Sequence, residues 1–502
     1  MASQTAGGTQ QKRNEGIAAY VGISAPETPR YLLTNNFLAD YFETSREEEV
    51  YDFDTFLERG VLYTEDEANR ELLKASFDLF LKRYLGEEAI REENRKLTEN
   101  KHFYFPLIPE MLTDSTANLR HVLYRLQMLD QKFDYDAMQR KLDYYMFADV
   151  SGLNYILKIL FQGKEHKTRY KSPERRETTE EYWSMLDKAE RGRMLRLGQR
   201  LSGDLDTLLT HPYFLQLDFY RRYHYLSMLL TSYVIQYIVV RKDGTTGILC
   251  KGNPLDSRLG GMLHRACCNN YDNIRNLFPS LLQDCYEQMT RKLVTGEEKQ
   301  LHIVGKDGNV KVNGKPFQDF TADVTGRKVS NHIAYDKLIQ AFELEEGKEK
   351  TVSVENFVLR YIDLTKTRRG STLTKLSSTL TTSGKQIGMI YPRSNVRQKY
   401  FAMSENLAEF YVRLYLARQG RQYDYLEHFL ADLQERYRIV IAKSPEGDKR
   451  LKAVKPRLSA QDFARNQAAF IDTLNSVNCL IKLSDSGYVV TLPEMKGDFR
   501  LI

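Results

Sequence analysis

The sequence predicts a mainly α-helical, multi-domain protein with a small antiparallel β insertion and a C-terminal α+β domain. Three observations lead to this fold class. Apolar residues recur at helical spacing over much of the chain. Sixteen consecutive residues, Tyr225–Val240, carry no formal charge. Between Leu301 and Val324 the pattern changes to alternation around Asp-Gly and Asn-Gly pairs, which favour tight hairpins.

Length and composition are those of a soluble globular protein. A chain of 502 residues corresponds to about three domains. Its 42% hydrophobic and 28% charged residues exclude a disordered chain. Five cysteines, an odd number, argue against a disulfide framework and indicate a reducing cytoplasm. The small, polar residues 1–16 predict a disordered start without a signal peptide.

Residues 17–163 predict an N-terminal helical domain. Apolar residues between Leu119 and Leu129 lie on one helical face, and another helix is predicted at Tyr135–Phe147. Residues 164–203 follow as a charged helical linker. Between Gly163 and Gly203 there are eleven Lys or Arg against seven Asp or Glu, typical of a solvated helical face. A basic strip facing nucleic acid is the alternative.

Residues 204–363 predict a central helical domain built around the passage Phe214–Arg241. The uncharged part of this passage is shorter than the roughly 20 residues that span a bilayer, and charged residues crowd its start. We therefore interpret it as a helix buried by other helices, with no membrane contact. The β insertion is expected at about 300–325, with LHIV, VKV and FTADV as its strands, followed by helices near Ile333–Glu343 and Val354–Asp363.

Four cysteines and one histidine fall close together in the central domain. Zinc takes four Cys or His donors in tetrahedral geometry, so this cluster is a candidate metal site. The spacing matches no common zinc pattern, and buried cysteines that act as small hydrophobes are the plainer interpretation. The candidate ligands are Cys250, His264, Cys267 and Cys285.

Residues 364–403 predict a basic loop rich in Ser and Thr. From Leu364 to Ser404 there is no acidic residue, and nine Ser or Thr lie between Ser371 and Ser383. Such a segment is suited to contacting a nucleic-acid backbone without reading sequence. A flexible loop that neutralises an acidic protein surface explains it equally well. The candidate phosphate contacts are Lys366, Arg368, Arg369, Lys375, Lys385, Arg393, Arg397 and Lys399.

Residues 404–502 predict the C-terminal α+β domain. Ser404 begins a helix that ends at Gly420, and a second helix is expected at Tyr423–Arg436. A short strand at Ile439–Ile441, a third helix opened by Ser459 and two strands near the end complete it. Helices followed by a terminal hairpin resemble a winged-helix domain. The order departs from the usual one, because the short strand follows the second helix.

The third helix of this domain predicts a poor surface for reading bases. Its expected outward positions are Arg465, Ala469, Asp472 and Ser476, and Asp472 would repel phosphate. A basic loop, Lys443–Arg457, precedes it and could hold the backbone. Its candidate contacts are Lys449, Arg450, Lys452, Lys455 and Arg457, with Lys443 at its start.

No catalytic constellation or glycine-rich nucleotide fingerprint emerges from the sequence, so a non-enzymatic protein is expected. The arrangement of Ser404–Leu492 and the Tyr-rich central helix resembles accessory subunits of multi-gene bacterial anti-phage defence systems. That resemblance implies a cytoplasmic subunit working beside an ATPase, helicase or nuclease, and it implies no particular functional residue.

These observations lead to one hypothesis and two alternatives. The hypothesis is a non-enzymatic, DNA-associated subunit of a bacterial complex, contacting the backbone through the two basic segments. The first alternative is a protein-interaction scaffold without nucleic-acid binding. The second is a metal-dependent enzyme with zinc at the cysteine cluster.

Overall fold

A computed structural model gives the structure of the chain. It describes residues 34, 37–38, 41, 66–80, 119–147, 186–242, 244–256, 259–293, 300–325, 333–366, 380–381, 384–385, 387–392, 398–483 and 487–495. The chain divides into two compact units. The large unit contains Thr28–Thr116, Arg120–Tyr271 and Thr382–Ile502, and the small unit contains Met1–Glu27, Ala117–Leu119 and Asp272–Thr381.

The first elements in chain order are helical, apart from one strand: α1 (Glu67–Phe80), α2 (Leu119–Met128), α3 (Tyr135–Phe147), α4 (Lys188–Thr210), α5 (Pro212–Leu215), α6 (Phe219–Lys242), β1 (Ile248–Lys251) and α7 (Gly261–Leu293). A mixed middle part follows: β2 (Gln300–Lys306), β3 (Asn309–Val312), β4 (Lys315–Pro316), α8 (Phe317–Thr325), α9 (Tyr335–Phe342), β5 (Glu349–Ser353) and α10 (Val354–Lys366). The last elements are β6 (Ile390–Tyr391), β7 (Tyr400–Ala402), α11 (Glu405–Gln419), β8 (Tyr423–Tyr425), α12 (Leu426–Tyr437), β9 (Ile439–Val440), α13 (Pro445–Arg450), α14 (Ala460–Ser476), β10 (Leu480–Lys482) and β11 (Tyr488–Thr491). The predicted mainly helical class is confirmed.

The centre of the large unit is the buried helix α6. Every side chain described between Tyr225 and Val240 is buried, as its uncharged sequence predicts. Helix α4 packs against α6 and also approaches α2 closely, because Gly198 has no side chain. A Cβ at Gly198 would lie 2.0 Å from the carbonyl oxygen of Leu126. Helix α3 has the bounds expected from sequence, Tyr135–Phe147.

A buried charge cluster ties four helices of the large unit together. The carboxylate of Asp204 on α4 is fully buried and accepts hydrogen bonds from Tyr233 at 2.6 Å and Tyr437 at 2.5 Å. It also accepts from Arg436 at 2.7 Å and from Arg418 at 3.2 Å. These partners come from α6, α11 and α12. A buried carboxylate needs this many donors because burial removes its water.

A four-stranded sheet of order β6-β7-β1-β9 also lies in the large unit. Strand β1 pairs in parallel with β7 on one side and β9 on the other, and β6 pairs antiparallel with β7. This parallel sheet was not predicted from the sequence. Two of its strands, β6 and β7, lie within 364–403, which was expected to be a loop.

The C-terminal part of the large unit differs from the expected order of elements. Helix α11 begins after the cap Ser404 and ends at Gly420, whose φ is +62°, as predicted. The second helix begins only at Leu426, because Tyr423–Tyr425 form strand β8. Strand β8 pairs antiparallel with β11, which also pairs with β10. The short strand predicted at Ile439–Ile441 is present as β9 but belongs to the parallel sheet.

The small unit contains the predicted β insertion, with two differences. Its antiparallel sheet has the order β4-β3-β2-β5, and its turns have positive φ at Asp307-Gly308 and Asn313-Gly314 as expected. The segment FTADV was predicted to be a strand and is part of helix α8, so that prediction was wrong. Strand β5 was not predicted. It lies 43 or more residues after its partner β2 in the sequence. Helices α8, α9 and α10 bring Phe317, Phe342 and Phe357 into ring contact.

We expect Asp204→Ala to lower the free energy of unfolding by about 3–5 kcal/mol, because it leaves the largely buried Arg436 guanidinium without its carboxylate and leaves Arg418 with Asp432 alone. Chemical denaturation followed by circular dichroism would measure this loss. Asp206→Ala is the matched control on the same helix, since Asp206 is half exposed and pairs with Lys141. Its effect should stay below about 1 kcal/mol. Equal effects of the two changes would contradict a structural role for the buried cluster.

We also expect stability to fall steeply above about pH 10. Burial, and next the charge of Asp204, raise the pKa of Tyr233 and Tyr437 well above the usual value. Because the folded pKa is raised, the stabilisation is complete below the unfolded pKa of about 10 and is lost as pH rises further. Each such tyrosine should steepen the loss by about 1.4 kcal/mol per pH unit. Tyr437→Phe should remove one such contribution above pH 10. Between pH 7 and 9 its free energy of unfolding should differ from that of the wild type by a constant amount.

Candidate nucleic-acid interface

Helix α14, the third helix of the C-terminal part, is buried along one broad face. Within this face, Phe470 stacks on Phe429 of α12 with ring centres 6.3 Å apart. Its neighbours Asn466, Ala469 and Thr473 pack on β1 and the residues after it. Ala469 was expected to point outward, and this prediction was wrong because that face of the helix covers the parallel sheet. Arg465, Asp472 and Ser476 are exposed as expected.

Asn466 holds α14 against the ends of two parallel strands. Its amide nitrogen donates to the carbonyl oxygens of Cys250 at 2.8 Å and Ile441 at 2.9 Å, and its oxygen accepts from the Gly252 N–H at 2.9 Å. Thr473 donates to the Gly252 carbonyl at 2.9 Å. A Cβ at Gly252 would lie 2.3 Å from the Asn466 carbonyl oxygen, so only glycine allows this approach. The exposed face of α14 offers one cation, Arg465, and one anion, Asp472, beside the amides of Gln461 and Asn475 and small side chains.

The basic segment Lys443–Arg457 was expected to be a loop but is partly helical and anchored. Ser444 caps α13 by accepting from the Gly447 N–H at 2.9 Å. The Arg450 carbonyl accepts from Gly247, and the Lys455 carbonyl accepts from Asn269 at 2.7 Å. Val454 is buried in the same apolar cluster as Leu249 of β1. These contacts fix the backbone of the segment against β1 and α7.

Five basic side chains of this segment are exposed, and we call them the basic rim: Lys443, Lys449, Lys452, Lys455 and Arg457. The segment has six basic and two acidic residues. Among the described acidic side chains, Glu446 reaches Lys449 at 3.8 Å and Arg450 at 3.3 Å. Arg450 is mostly buried, so it does not belong to the rim. The rim therefore carries a local excess of positive charge on an ordered backbone.

Of the other predicted phosphate contacts, Lys385 and Lys399 have described side chains, and Lys385 is half-buried. Lys399 is buried and donates to the Pro392 carbonyl at 2.6 Å, and burial and the neighbouring Lys385 lower the pKa of Lys399. The structure therefore gives Lys399 a structural contact and does not present it to a ligand. The remaining candidates lie outside the described residues, or their side chains do: Lys366, Arg368, Arg369, Lys375, Arg393 and Arg397.

The candidate zinc ligands are only partly brought together. Cys250 and Cys267 are fully buried, and burial raises the pKa of both thiols. His264 was expected to share a side of α7 with Cys267, but its Nε2 lies 3.7 Å from the Sγ of Cys268. The side chain of Cys285 lies outside those described. Within the described part of the chain, no group of three or more His, Cys, Asp or Glu side chains is placed to hold a metal ion.

Comparison of the chain with protein-family models, curated proteins and solved structures gives no significant match. No helix among the described residues is long and apolar enough to cross a membrane.

Sequence reasoning missed Asn466, Lys251 and Tyr400, which the fold brings together around the carboxyl end of β1. Lys251 ends the four-residue strand ILCK, and Tyr400 begins a three-residue strand. Neither strand is long enough for its period to be recognised. An Asn in the middle of a helix was the one available signal, because its amide favours such positions only when it has partners.

We expect Asn466→Ala to destabilise the protein by about 3 kcal/mol or more, since it leaves three buried backbone groups without partners at about 1–3 kcal/mol each. Thermal and denaturant unfolding would measure the change. Asn475→Ala, at an exposed position of the same helix, should change stability by less than about 0.5 kcal/mol. An Asn466→Ala protein as stable as Asn475→Ala would show that α14 does not depend on this contact.

Proposed function

We propose that this chain is a nucleic-acid-associated protein that contacts the phosphate backbone of DNA through the basic rim, without reading sequence. The observation that carries the proposal is the exposure of Lys443, Lys449, Lys452, Lys455 and Arg457 on one anchored segment. Of these five, Lys449 alone has a described acidic side chain within ion-pair distance. Cations in this state can replace the counterions condensed on DNA, which is the source of non-specific affinity.

The order of elements around the rim supports this proposal. The elements α11, β8, α12, α14, β10 and β11 come in this order along the chain, with β9 and α13 between α12 and α14, and the sheet order is β10-β11-β8. Apart from β9 and α13, this order resembles that of a winged-helix domain, since the short strand β8 lies between the first two helices. The rim precedes α14, the helix that in such domains enters the groove.

Backbone contact is favoured over sequence reading because of how α14 is packed. One face of α14 covers β1, and its exposed face offers Arg465 and Asp472 as charged groups of opposite sign. Discrimination between bases needs paired donors and acceptors on an accessible helix. The rim, by contrast, has lysines, which bind phosphates as point charges. The basic residues of 364–403 that lie outside the described part are included in the proposal because of their sequence alone.

The proposed biological setting is a non-enzymatic subunit of a bacterial complex, working beside an ATPase, helicase or nuclease in anti-phage defence. This part rests on the resemblance of Ser404–Leu492 and the central helix to such subunits. Binding of DNA by a subunit would bring its catalytic partner to the substrate.

A protein-interaction scaffold is the second candidate function, and exposed aromatic residues favour it. Tyr423 and Tyr425 lie on β8, an edge strand of its sheet, and are 48% and 53% exposed. Tyrosine is enriched in protein interfaces because it combines a large apolar ring with a polar hydroxyl. An open strand edge can also pair with a strand of another chain.

We expect binding to duplex DNA to weaken with salt and to depend on the basic rim. The triple change Lys449→Gln, Lys452→Gln and Arg457→Gln should reduce the slope of log affinity against log salt by about 2 to 3, since each phosphate contact contributes roughly 0.9. Fluorescence anisotropy with labelled DNA at four salt concentrations would measure the slope.

A matched control removes the same charge elsewhere. Lys306, Lys311 and Lys337 are exposed lysines of the small unit, and their change to Gln should leave the slope unaltered. Equal losses in both triple variants, or no binding by the wild type at low salt, would refute backbone contact by the rim. A partner complex that survives nuclease treatment, together with no DNA binding, would favour the scaffold.

A further inference from the structure

A buried lysine without an acceptor lies at the carboxyl end of β1. The side chain of Lys251 is in the interior of the large unit, with the residue 5% exposed. Its Nζ lies 4.5 Å from the ring centre of Tyr400 on β7. Among the described residues, this nitrogen forms no hydrogen bond or ion pair, and the thiols of Cys267 and Cys268 and the carboxyl of Asp256 act on its charge from a greater distance. Buried charges in proteins are ordinarily paired. A buried ammonium whose nearest contact is the face of a ring is therefore unusual and is suited to binding an anion.

Helix α7 places a second donor beside the lysine. The ring of His264, in the first turn of α7, contacts the same Tyr400 ring with centres 5.1 Å apart. The Nε2 of His264 lies near the Sγ of Cys268, while its Nδ1 is buried and has no partner among the described residues. Tyr400 is itself fixed, because its hydroxyl donates to the Pro254 carbonyl at 3.1 Å. The Lys251 ammonium and the unpartnered Nδ1 of His264 therefore lie around one fixed ring.

This arrangement disfavours the protonated forms of both Lys251 and His264. Burial lowers the pKa of Lys251, and the thiols of Cys267 and Cys268 and the carboxyl of Asp256 only partly oppose it. Burial, and next the charge of Lys251, lower the pKa of His264. A negative charge between the two nitrogens would reverse both effects, because it stabilises the protonated forms.

The position of the cluster in the fold is also one that favours anions. The first turn of a helix has N–H groups without intrahelical acceptors and the positive end of the helix dipole, and His264 stands in that turn of α7. Leu451 and Leu458, which flank the basic rim, pack against the same apolar cluster as Tyr400 and Cys268. The rim would therefore raise the local concentration of an approaching anion.

We propose that Lys251, His264 and the first turn of α7 form a binding site for a phosphate monoester group. A monoester has three terminal oxygens and a charge near −2, enough to accept from an ammonium, an imidazole and a helix N-terminus together. A phosphodiester within a strand is unsuitable, because its two flanking nucleotides could not follow it to a side chain buried this deeply. The site therefore takes a small phosphorylated molecule or the terminal phosphate of a nucleic-acid strand, and it does not depend on backbone binding by the rim.

Isothermal titration of the full chain in a phosphate-free buffer tests the proposal with three probes: inorganic phosphate, a nucleoside 5′-monophosphate, and a short oligonucleotide with a 5′-phosphate or a 5′-hydroxyl. Lys251→Met keeps the length of the side chain and removes the charge, and it should weaken phosphate binding about tenfold or more. Lys311→Met, at an exposed position of the small unit, is the matched control and should stay within about twofold of wild type. Circular dichroism would check the fold of each variant, and His264→Gln provides a second test if Lys251→Met does not fold.

The probes also separate the sources of the phosphate. A preference for the 5′-phosphorylated oligonucleotide over the 5′-hydroxyl one, abolished by Lys251→Met, would support a strand end as the ligand. Binding of the monophosphate with no such preference would support a small molecule. Absence of binding by all phosphorylated probes would overturn the proposal, as would equal losses in Lys251→Met and Lys311→Met. Salt-sensitive binding of the 5′-hydroxyl oligonucleotide alone would overturn it while leaving the function of the rim intact.

Discussion

The buried carboxylate of Asp204 is the interaction on which the large unit depends. Its donors come from α6, α11 and α12 and lie as many as 233 residues from Asp204 in the sequence. The cluster stabilises the fold mainly when all its members are present, since each buried charge is tolerated only while the others neutralise it. The cluster thereby fixes the orientation of α11 and α12 relative to the central helix, and with it the place of the segments after α12.

The parallel sheet and the helix that closes it are built from the chain after α12. Strand β9 leaves α12 and pairs with β1, and α14 then returns to cover the carboxyl ends of both strands through Asn466. The helix that would otherwise present a reading face is thus used as part of the core. This one packing arrangement accounts for two features, the poor reading surface of α14 and the fixed backbone of the basic rim beside it.

The rim and the Lys251 cluster are complementary in physical terms. The rim is exposed and suited to many phosphates held weakly. The cluster is buried and preorganised around one ring, which suits a single phosphate held by specific donors. Both border the same apolar cluster at β1, so a ligand drawn by the field of the rim would arrive near the buried site.

The sequence by itself determined the elements whose cause is local. The uncharged passage Tyr225–Val240 predicts a buried helix, and Ser404 and Gly420 predict the ends of α11, because caps and periodicity act within a few residues. Tertiary structure decided the rest. Strands β1, β7 and β9 have two to four residues each and exist only because they pair across 151 to 191 positions. The segment FTADV alternates like a strand yet packs as a helix, since its Phe320 meets Phe357 of α10. Ala469 and Lys251 are buried for the same reason. Contacts between distant segments determine which faces of a helix or strand are shielded from water, and no local pattern encodes those contacts.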